Sequence, residues 1–420
     1  MSKILDVYLS GALAGRLVQT DAGRLEFTYD PGWVGSPHAA SLSQSLPLRT
    51  EPFDHDACRP FFAGLLPEGE LRTRIAAVVG ISARNDFAFL EQLGGECAGA
   101  VTLLPEGAPY PKPEAFRSRP LDEHDLAEVL RRLPGRPLLA GEAGVRLSLA
   151  GAQAKIAVLV EGDRLALPLD GAPSSHIVKA KIAGFPDTVR NEAFCLRLAR
   201  RLDLSAVDAA VGVAEDEPYL LVTRYDRIRS ADHGLVRLHQ EDFCQALARP
   251  PELKYQSEGG PTLADCFALV RRTSTRPAID LMALLDAVVF NALVGNHDAH
   301  AKNYSLVYTR ESAALAPLYD VVSTVVYPEL STRLAMRIGG QPELARVMPR
   351  HWDRMAEATG LAAPALKRRV AALAERAEAE AERAAEELAA GQRSPVVDQC
   401  RTAVCARARG VLENLARGRG

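Results

Sequence analysis

Apolar and polar residues alternate from Ile4 to Tyr29, and Ser10-Gly11 and Asp21-Ala22-Gly23 interrupt the run. A period of two puts one face of each strand inside, so this pattern predicts a small antiparallel meander. Phe61 to Glu70, Leu71 to Val79 and Asp86 to Leu93 then show apolar residues at helical spacing, separated by helix breakers. Residues 104–120 carry five prolines and read as a linker. A second β-rich stretch spans Val145 to Leu169 and His176 to Ala180, followed by an amphipathic helix over Asn191 to Arg201 and an apolar strand over Tyr219 to Thr223. From Gln240 onward the period turns helical, and Leu281 to Val294 is the clearest buried helix. Residues 365–390 are rich in Ala, Glu and Arg, with only Leu366, Val370, Leu373 and Leu388 as a thin stripe. This predicts a largely solvated helix, with a coiled-coil partner helix as the sharper alternative. No internal repeat is visible.

A chain of 420 residues exceeds what one core supports, so two lobes are expected. The boundaries read as 1–110 for an N-terminal β/α module, 121–226 for a β-rich lobe and 227–420 for a helical lobe. Hydrophobic content of 47% and charged content of 25% are ordinary for a globular protein. A net charge of −3 gives no global case for nucleic-acid or membrane binding. The seven cysteines form no CxxC pair and have no His companion at zinc spacing, so they read as buried thiols of a reducing compartment. The first residues lack a secretory apolar core and no run of about 18 uncharged apolar residues appears, which predicts a cytoplasmic protein. Lysine supplies only 8 of the 50 basic residues, and Lys155, Lys179 and Lys302 all fall in the segments that carry chemistry.

The run Gly295-Asn-His-Asp-Ala-His-Ala-Lys-Asn303 places Asp298 and Asn303 at a D-x-x-x-x-N spacing. A carboxylate there can accept a proton from an attacking hydroxyl, and the amide oxygen five residues on is a hard ligand suited to Mg²⁺. Asp320, in the apolar stretch Leu315 to Val322, can present a second metal-binding carboxylate from a strand end. Upstream, the small residues of Ser148-Leu-Ala-Gly-Ala-Gln-Ala-Lys155 let backbone N–H groups approach phosphate, although a tight β-turn would read the same way. Lys179 reads as a strand lysine that Glu192 could pair with, or as half of a surface ion pair. Leu220 to Asp226 reads as an adenine-binding hinge or as a core strand.

At these residues the chain resembles the HipA family of bacterial serine/threonine protein kinases, the toxin half of HipA/HipB toxin–antitoxin pairs. The resemblance rests on Ser148-x-Ala-Gly-Ala-Gln-x-Lys, Gln240-Glu-Asp-Phe-Cys-Gln, Lys254-Tyr with Gly259-Gly-Pro, Asp298-x-His-x-Lys-Asn, Pro317-Leu-Tyr-Asp and Phe61-Phe-x-x-Leu-Leu-Pro-Glu. It implies an α+β, two-lobed, protein-kinase-like fold with a β-rich N-terminal lobe and an all-helical C-terminal lobe. By the same resemblance Asp298 is the catalytic base, and Asn303 and Asp320 hold Mg²⁺. ATP is bound by Ala150, Gly151, Ala152, Gln153 and Lys155 of the phosphate loop, by Lys179, and by the hinge Thr223, Arg224 and Tyr225. His300, Lys302, Asn303, Tyr319 and Asp320 complete that set. Ser148 matches an autophosphorylated serine whose new dianion expels the loop and inactivates the enzyme. Hinges of the family usually begin with Glu, where this chain has Thr223.

The implied activity is that of a non-specific serine/threonine protein kinase using ATP and Mg²⁺, with an aminoacyl-tRNA synthetase as the suggested substrate class. The implied partner is a HipB-like helix-turn-helix antitoxin, through which alone DNA would be contacted. Two rivals stand beside this reading. His297-Asp298 with His300 also supplies the ligands of an HD-type metal-dependent phosphohydrolase, and an inactive kinase-like partner of a DNA-binding antitoxin is the non-catalytic alternative.

Overall fold

A computed structural model describes residues 3–230, 234–389 and 394–417. The chain divides into two compact units. The first comprises Met1–Ala180, Gly212–Glu252 and Val307–Glu311; the second comprises Lys181–Val211, Leu253–Leu306 and Ser312–Gly420.

The first unit opens with the expected meander. Strands β1 (Lys3–Leu9), β2 (Ala12–Gln19) and β3 (Leu25–Tyr29) pair antiparallel, and β4 (Val101–Pro105) adds to the other edge of β1 in the order β3-β2-β1-β4. Helix α1 (Pro31–Val34) is a single turn; α2 (His55–Gly64), α3 (Gly69–Val79) and α4 (Asp86–Leu93) follow it. The second sheet holds β5 (Arg117–Leu121), β6 (Lys155–Glu161), β7 (Arg164–Leu169), β8 (His176–Ala180) and β10 (Glu217–Thr223). Its order is β5-β7-β6-β8-β10, and β9 (Ala209–Ala214), which joins this unit from Gly212, stands at the far edge. Helix α5 (Glu123–Arg132) is closed by an Asp122/Asp125 capping box. Helix α6 (Thr188–Arg201) belongs to the second unit, and the one-turn α7 (Phe243–Ala246) returns to the first.

One apolar cluster runs from Leu5, Phe27, Phe61 and Phe62 to Leu130, Ile156 and Val178. The 1–110 module and the β-rich lobe therefore share a core. Each fully buried Phe or Leu in it contributes about 1.5–3 kcal/mol of burial energy. The proline-rich 104–120 segment is not simply a linker, because Arg117–Leu121 pairs with β7 in the register Arg117↔Leu169 to Leu121↔Leu165. Its first four side chains are exposed and Pro120 lacks an N–H, as befits an edge strand bonded on one side only.

The second unit is helical, built from α6, α8 (Leu263–Thr273), α9 (Pro277–Val294), α10 (Pro349–Thr359), α11 (Ala363–Ala389) and α12 (Pro395–Arg417). It also carries a small hairpin, Arg333–Ile338 with Gln341–Glu343, so the expected lobe is mostly rather than wholly helical. Pro277 starts α9 at N1 and Gly295, at φ +70°, ends it in the left-handed region. Among the described residues α9 is the one helix long and apolar enough to cross a membrane, but 72% of it is buried and it packs against α8, α11 and α12. It is a core helix.

The expectation of a largely solvated tail helix is corrected. Leu366, Val370, Leu373, Ala374, Ala377, Ala381 and Ala384 of α11 are all buried, and the helix packs on α6, α9, α10 and α12. Its alanines complete the stripe that the larger residues only began, and their small Cβ groups let neighbouring helices approach closely.

Candidate functional site

Within the first unit, the 148–155 segment is anchored at both ends. Ser148 is fully buried; its N–H donates to the Glu96 carbonyl at 2.9 Å and its Oγ donates to the Leu65 carbonyl at 2.8 Å. Gly151, at φ +107°, accepts at its carbonyl from the Glu68 N–H at 3.2 Å. A Cβ at Gly151 would lie 2.8 Å from Lys155 Nζ, a flexible side-chain end that could shift, so it is the backbone φ that calls for glycine where the loop passes that ammonium. Gln153 Nε2 donates to the Ala180 carbonyl at 3.0 Å, while Ala150 and Ala152 border the loop without side chains that could obstruct it.

Lys155 and Lys179 stand directly opposite each other in the β6/β8 ladder, and both are buried. Facing residues of an antiparallel pair share one side of the sheet about 5 Å apart, where like charges repel. Two buried ammonium groups beside a glycine turn make a site whose chemistry suits an anion. The buried Glu192 belongs to α6 of the second unit.

The proposed hinge begins at Thr223, exposed at the end of β10. Arg224 turns the other way. Its N–H donates to the Ser175 carbonyl at 3.0 Å, and its guanidinium, buried, donates to Asp226 as a bidentate pair at 2.9 and 2.7 Å and to Glu96 at 3.0 Å. Its side chain thus serves the core of the unit. Tyr225 donates its hydroxyl to Gln240 Oε1 at 2.7 Å.

Within the second unit, α9 ends at Gly295 and releases the 296–303 loop. Asn296 receives the Asp298 N–H on its Oδ1 at 3.0 Å and donates Nδ2 to Asn291 Oδ1 at 2.8 Å, tying the loop to α9. The Asp298 carbonyl accepts from the His300 N–H at 2.8 Å and from Asn303 Nδ2 at 3.1 Å. With its nitrogen committed there, Asn303 has Oδ1 left for a cation. The Asp298 carboxylate is exposed, and Oδ1 accepts the Tyr255 hydroxyl at 2.7 Å. The Tyr255 ring also meets His300 edge to face, with centroids 5.2 Å apart. Tyr319 donates to the Lys302 carbonyl at 2.8 Å and contacts Ser305 Oγ at 2.6 Å, so its hydroxyl braces the loop. Asp320 follows at φ +57°, a left-handed conformation uncommon for a non-glycine residue and frequent at functional sites. It lies two residues past the Ala206↔Leu318 bridge, close to the expected strand end.

His297 differs from its neighbours. It is buried, its N–H donates to Thr324 Oγ1 at 2.8 Å, and its Nδ1 lies 3.1 Å from the same oxygen. Burial, with Arg407 adding to it, lowers its pKa to about 4. A neutral ring held this way supports the fold. Among the described residues no three His, Cys, Asp or Glu side chains gather as a metal site.

Tyr255, Asn296 and Glu96 carried no assigned role in the sequence. Tyr255 stood in the Lys254-Tyr motif and Asn296 in the 295–303 run, so both had a local signal. Glu96 showed only as one charge within Gly94-Gly-Glu-Cys-Ala-Gly99.

A two-unit α+β fold, with paired lysines in one unit and an Asp/Asn loop in the other, defines a kinase-like protein. Residues 147–384 match the HipA-like C-terminal domain and residues 5–104 the HipA N-terminal domain. The chain is 47% identical over 374 residues to Y4mE of Sinorhizobium fredii, covering 88% of each. It is 28% identical over 349 residues to the serine/threonine-protein kinase toxin HipA of Shewanella oneidensis, covering 80% of this chain and 78% of that one. A solved complex of HipA, HipB and operator DNA from Shewanella oneidensis MR-1 contains a chain that superposes with a TM-score of 0.85 at 25% identity, covering 98% of both. The chain belongs to the HipA family of kinases.

Proposed function

We propose that this chain is an ATP- and Mg²⁺-dependent serine/threonine protein kinase and the toxin of a toxin–antitoxin pair. The observation that carries the reading is the 298–303 loop: an exposed Asp298 carboxylate oriented by Tyr255, with Asn303 tied to the Asp298 carbonyl so that its oxygen is left for a cation.

The residues present fit ATP·Mg²⁺. The Lys155/Lys179 pair and the Gly151 turn suit the phosphates, and Thr223 and Tyr225 with the Arg224 carbonyl between them would line the adenine. Asn303 and Asp320 would supply two hard oxygen ligands, the donor type that suits a small divalent cation. Bound there, Mg²⁺ neutralises charge on the transferring phosphoryl group. Asp298 accepts the proton of the substrate hydroxyl at Oδ2, Tyr255 keeping the carboxylate aligned through Oδ1. Lys155 and Lys179 hold the phosphates by charge, and His300 and Lys302 border the nucleotide side. Catalysis then comes from positioning and fixed charge.

Ser148 is the proposed autophosphorylation site. A phosphate dianion could not stay in the buried niche beneath Leu65 and Glu96, so modification would release the loop that holds ATP. A HipB-like helix-turn-helix protein is the proposed partner, with DNA reached only through it, and an aminoacyl-tRNA synthetase is the proposed substrate class. Against an HD-type hydrolase stands His297, whose packing on Thr324 takes it away from a shared metal.

Asp298→Asn should fold normally and lose phosphotransfer from [γ-³²P]ATP by at least about 10³-fold, roughly 4 kcal/mol of barrier. Phosphosite mass spectrometry of cell extract treated with each form would identify the substrate and read Ser148. Near-normal incorporation by the variant would remove the kinase assignment.

A further inference from the structure

The segment Glu96 to Gly99 sits between the 148–155 loop and the hinge, and bonds to both. By its backbone, Glu96 takes the Ser148 N–H on its carbonyl at 2.9 Å and donates its own N–H to the Arg146 carbonyl at 2.9 Å, forming the parallel Glu96↔Leu147 bridge. By its side chain it accepts Arg224 Nη1 at 3.1 and 3.0 Å, Arg227 Nη2 at 2.6 Å and Ser174 Oγ at 3.1 Å. The Cys97 carbonyl accepts from Arg224 and Arg227 at 3.2 and 3.0 Å, and the Gly99 N–H donates to Asp226 at 2.7 Å. Every side chain in this group is buried.

Two carboxylates, Glu96 and Asp226, balance two guanidinium groups, Arg224 and Arg227. Burial by itself raises the Glu96 carboxyl, but Arg224, Arg227 and Arg237 overcome it and hold the group at about 2, so it stays ionised. Buried ion groups are costly to desolvate, and well-packed apolar residues of similar volume would stabilise the unit as well. What such a group supplies is a fixed geometry, since bidentate guanidinium–carboxylate bonds tolerate little displacement.

We infer that Glu96 is a positioning residue for the nucleotide, holding the 148–155 loop by its backbone and the hinge by its carboxylate so that both stay in the register one ATP molecule requires. The inference rests on the nucleotide reading proposed above. ATP is a bivalent ligand, with adenine on one segment and phosphates on the other. Its affinity over either fragment depends on the two subsites being held at the right separation. Loss of the clamp leaves each subsite intact and loses the advantage of joining them.

The test is calorimetric titration of ATP, adenosine and inorganic tripolyphosphate, each with Mg²⁺, into the full chain. Glu96→Gln keeps the size and the backbone bonds but removes the charge; Glu96→Gln/Arg227→Gln keeps the buried charge balanced and serves where the single variant does not fold. The expected result is an ATP Kd raised at least about ten-fold, with adenosine and tripolyphosphate changed by less than about three-fold. ATP binding within about three-fold of wild type, or equal weakening of all three ligands, would overturn the positioning role while leaving the kinase reading in place. Wild-type protein that binds none of the three would instead remove the nucleotide reading itself.

Discussion

At the scale of single residues, the catalytic proposal turns on how an exposed carboxylate is held still. Asp298 is exposed, and a solvent-facing aspartate normally samples several rotamers, yet the Tyr255 hydroxyl bonds Oδ1 at 2.7 Å. Tyr255→Phe keeps the ring that meets His300 edge to face and removes the hydroxyl that makes that bond. A hydrogen bond to a charged group is worth roughly 1.5–3 kcal/mol. The expected outcome is kcat lowered on the order of ten-fold with the KM for ATP unchanged, since under the proposal the bond would orient the base without touching the nucleotide. Steady-state kinetics at saturating protein substrate would check it; a rise in KM alone would place Tyr255 in nucleotide binding. The D-x-x-x-x-N spacing was readable because both residues lie in one short loop. Tyr255 lies 43 residues upstream of its partner, where no local pattern links them.

Elements show where periodicity succeeds and where it stops. The buried helix ending at Val294 and the strand His176–Ala180 were legible from apolar runs and their flanking breakers. Helix α11 was legible as a helix, but its burial was hidden because alanine forms the stripe and is equally at home in water. Ala377 is fully buried while Ala379, two residues on and on the opposite face of the helix, is exposed. Ala377→Leu should destabilise the protein by about 1–3 kcal/mol through overpacking, whereas Ala379→Leu should change stability by less than about 0.5 kcal/mol. Thermal denaturation of the pair distinguishes a packed helix from a solvated one, because leucine has nearly the same helix propensity at both positions.

For the whole molecule, buried titratable groups set how stability depends on pH. Burial lowers His239 in the first unit and His297 in the second to about 4, so both are neutral when folded at neutral pH. As pH falls from about 6.5 to 4 the unfolded chain takes up protons that the folded histidines refuse, and stability drops by up to roughly 3 kcal/mol per histidine. Glu241 acts in the opposite sense. Burial raises it to about 7 despite bonds from Ser43, Tyr308 and the Gln44 N–H, so below that pH the folded form binds a proton the unfolded form lacks. Stability from this group is present at low pH and lost as pH rises through about 7. Glu241→Gln should therefore make the acid-induced loss of stability steeper between pH 7 and 4.5, and His297→Asn should make it shallower. Urea denaturation midpoints across that range would read both; an unchanged slope in either variant would contradict the assignment.

Sequence alone determined the two-part α+β plan, most of the strands and helices, and the resemblance that the comparisons placed in the HipA family; it also supplied the candidates in the 295–303 loop and Asp320. These are features written in neighbouring residues, through spacing, turn chemistry and residue type. Tertiary structure decided what Arg224, Glu96, Tyr255 and α11 touch. Arg224 sits in a hinge-like sequence, yet its guanidinium turns inward because a carboxylate 128 positions earlier is brought beside it. Arg117–Leu121 becomes a strand because β7 offers it an edge. Such roles depend on which groups are left without water once the core forms, and that follows from topology over long separations.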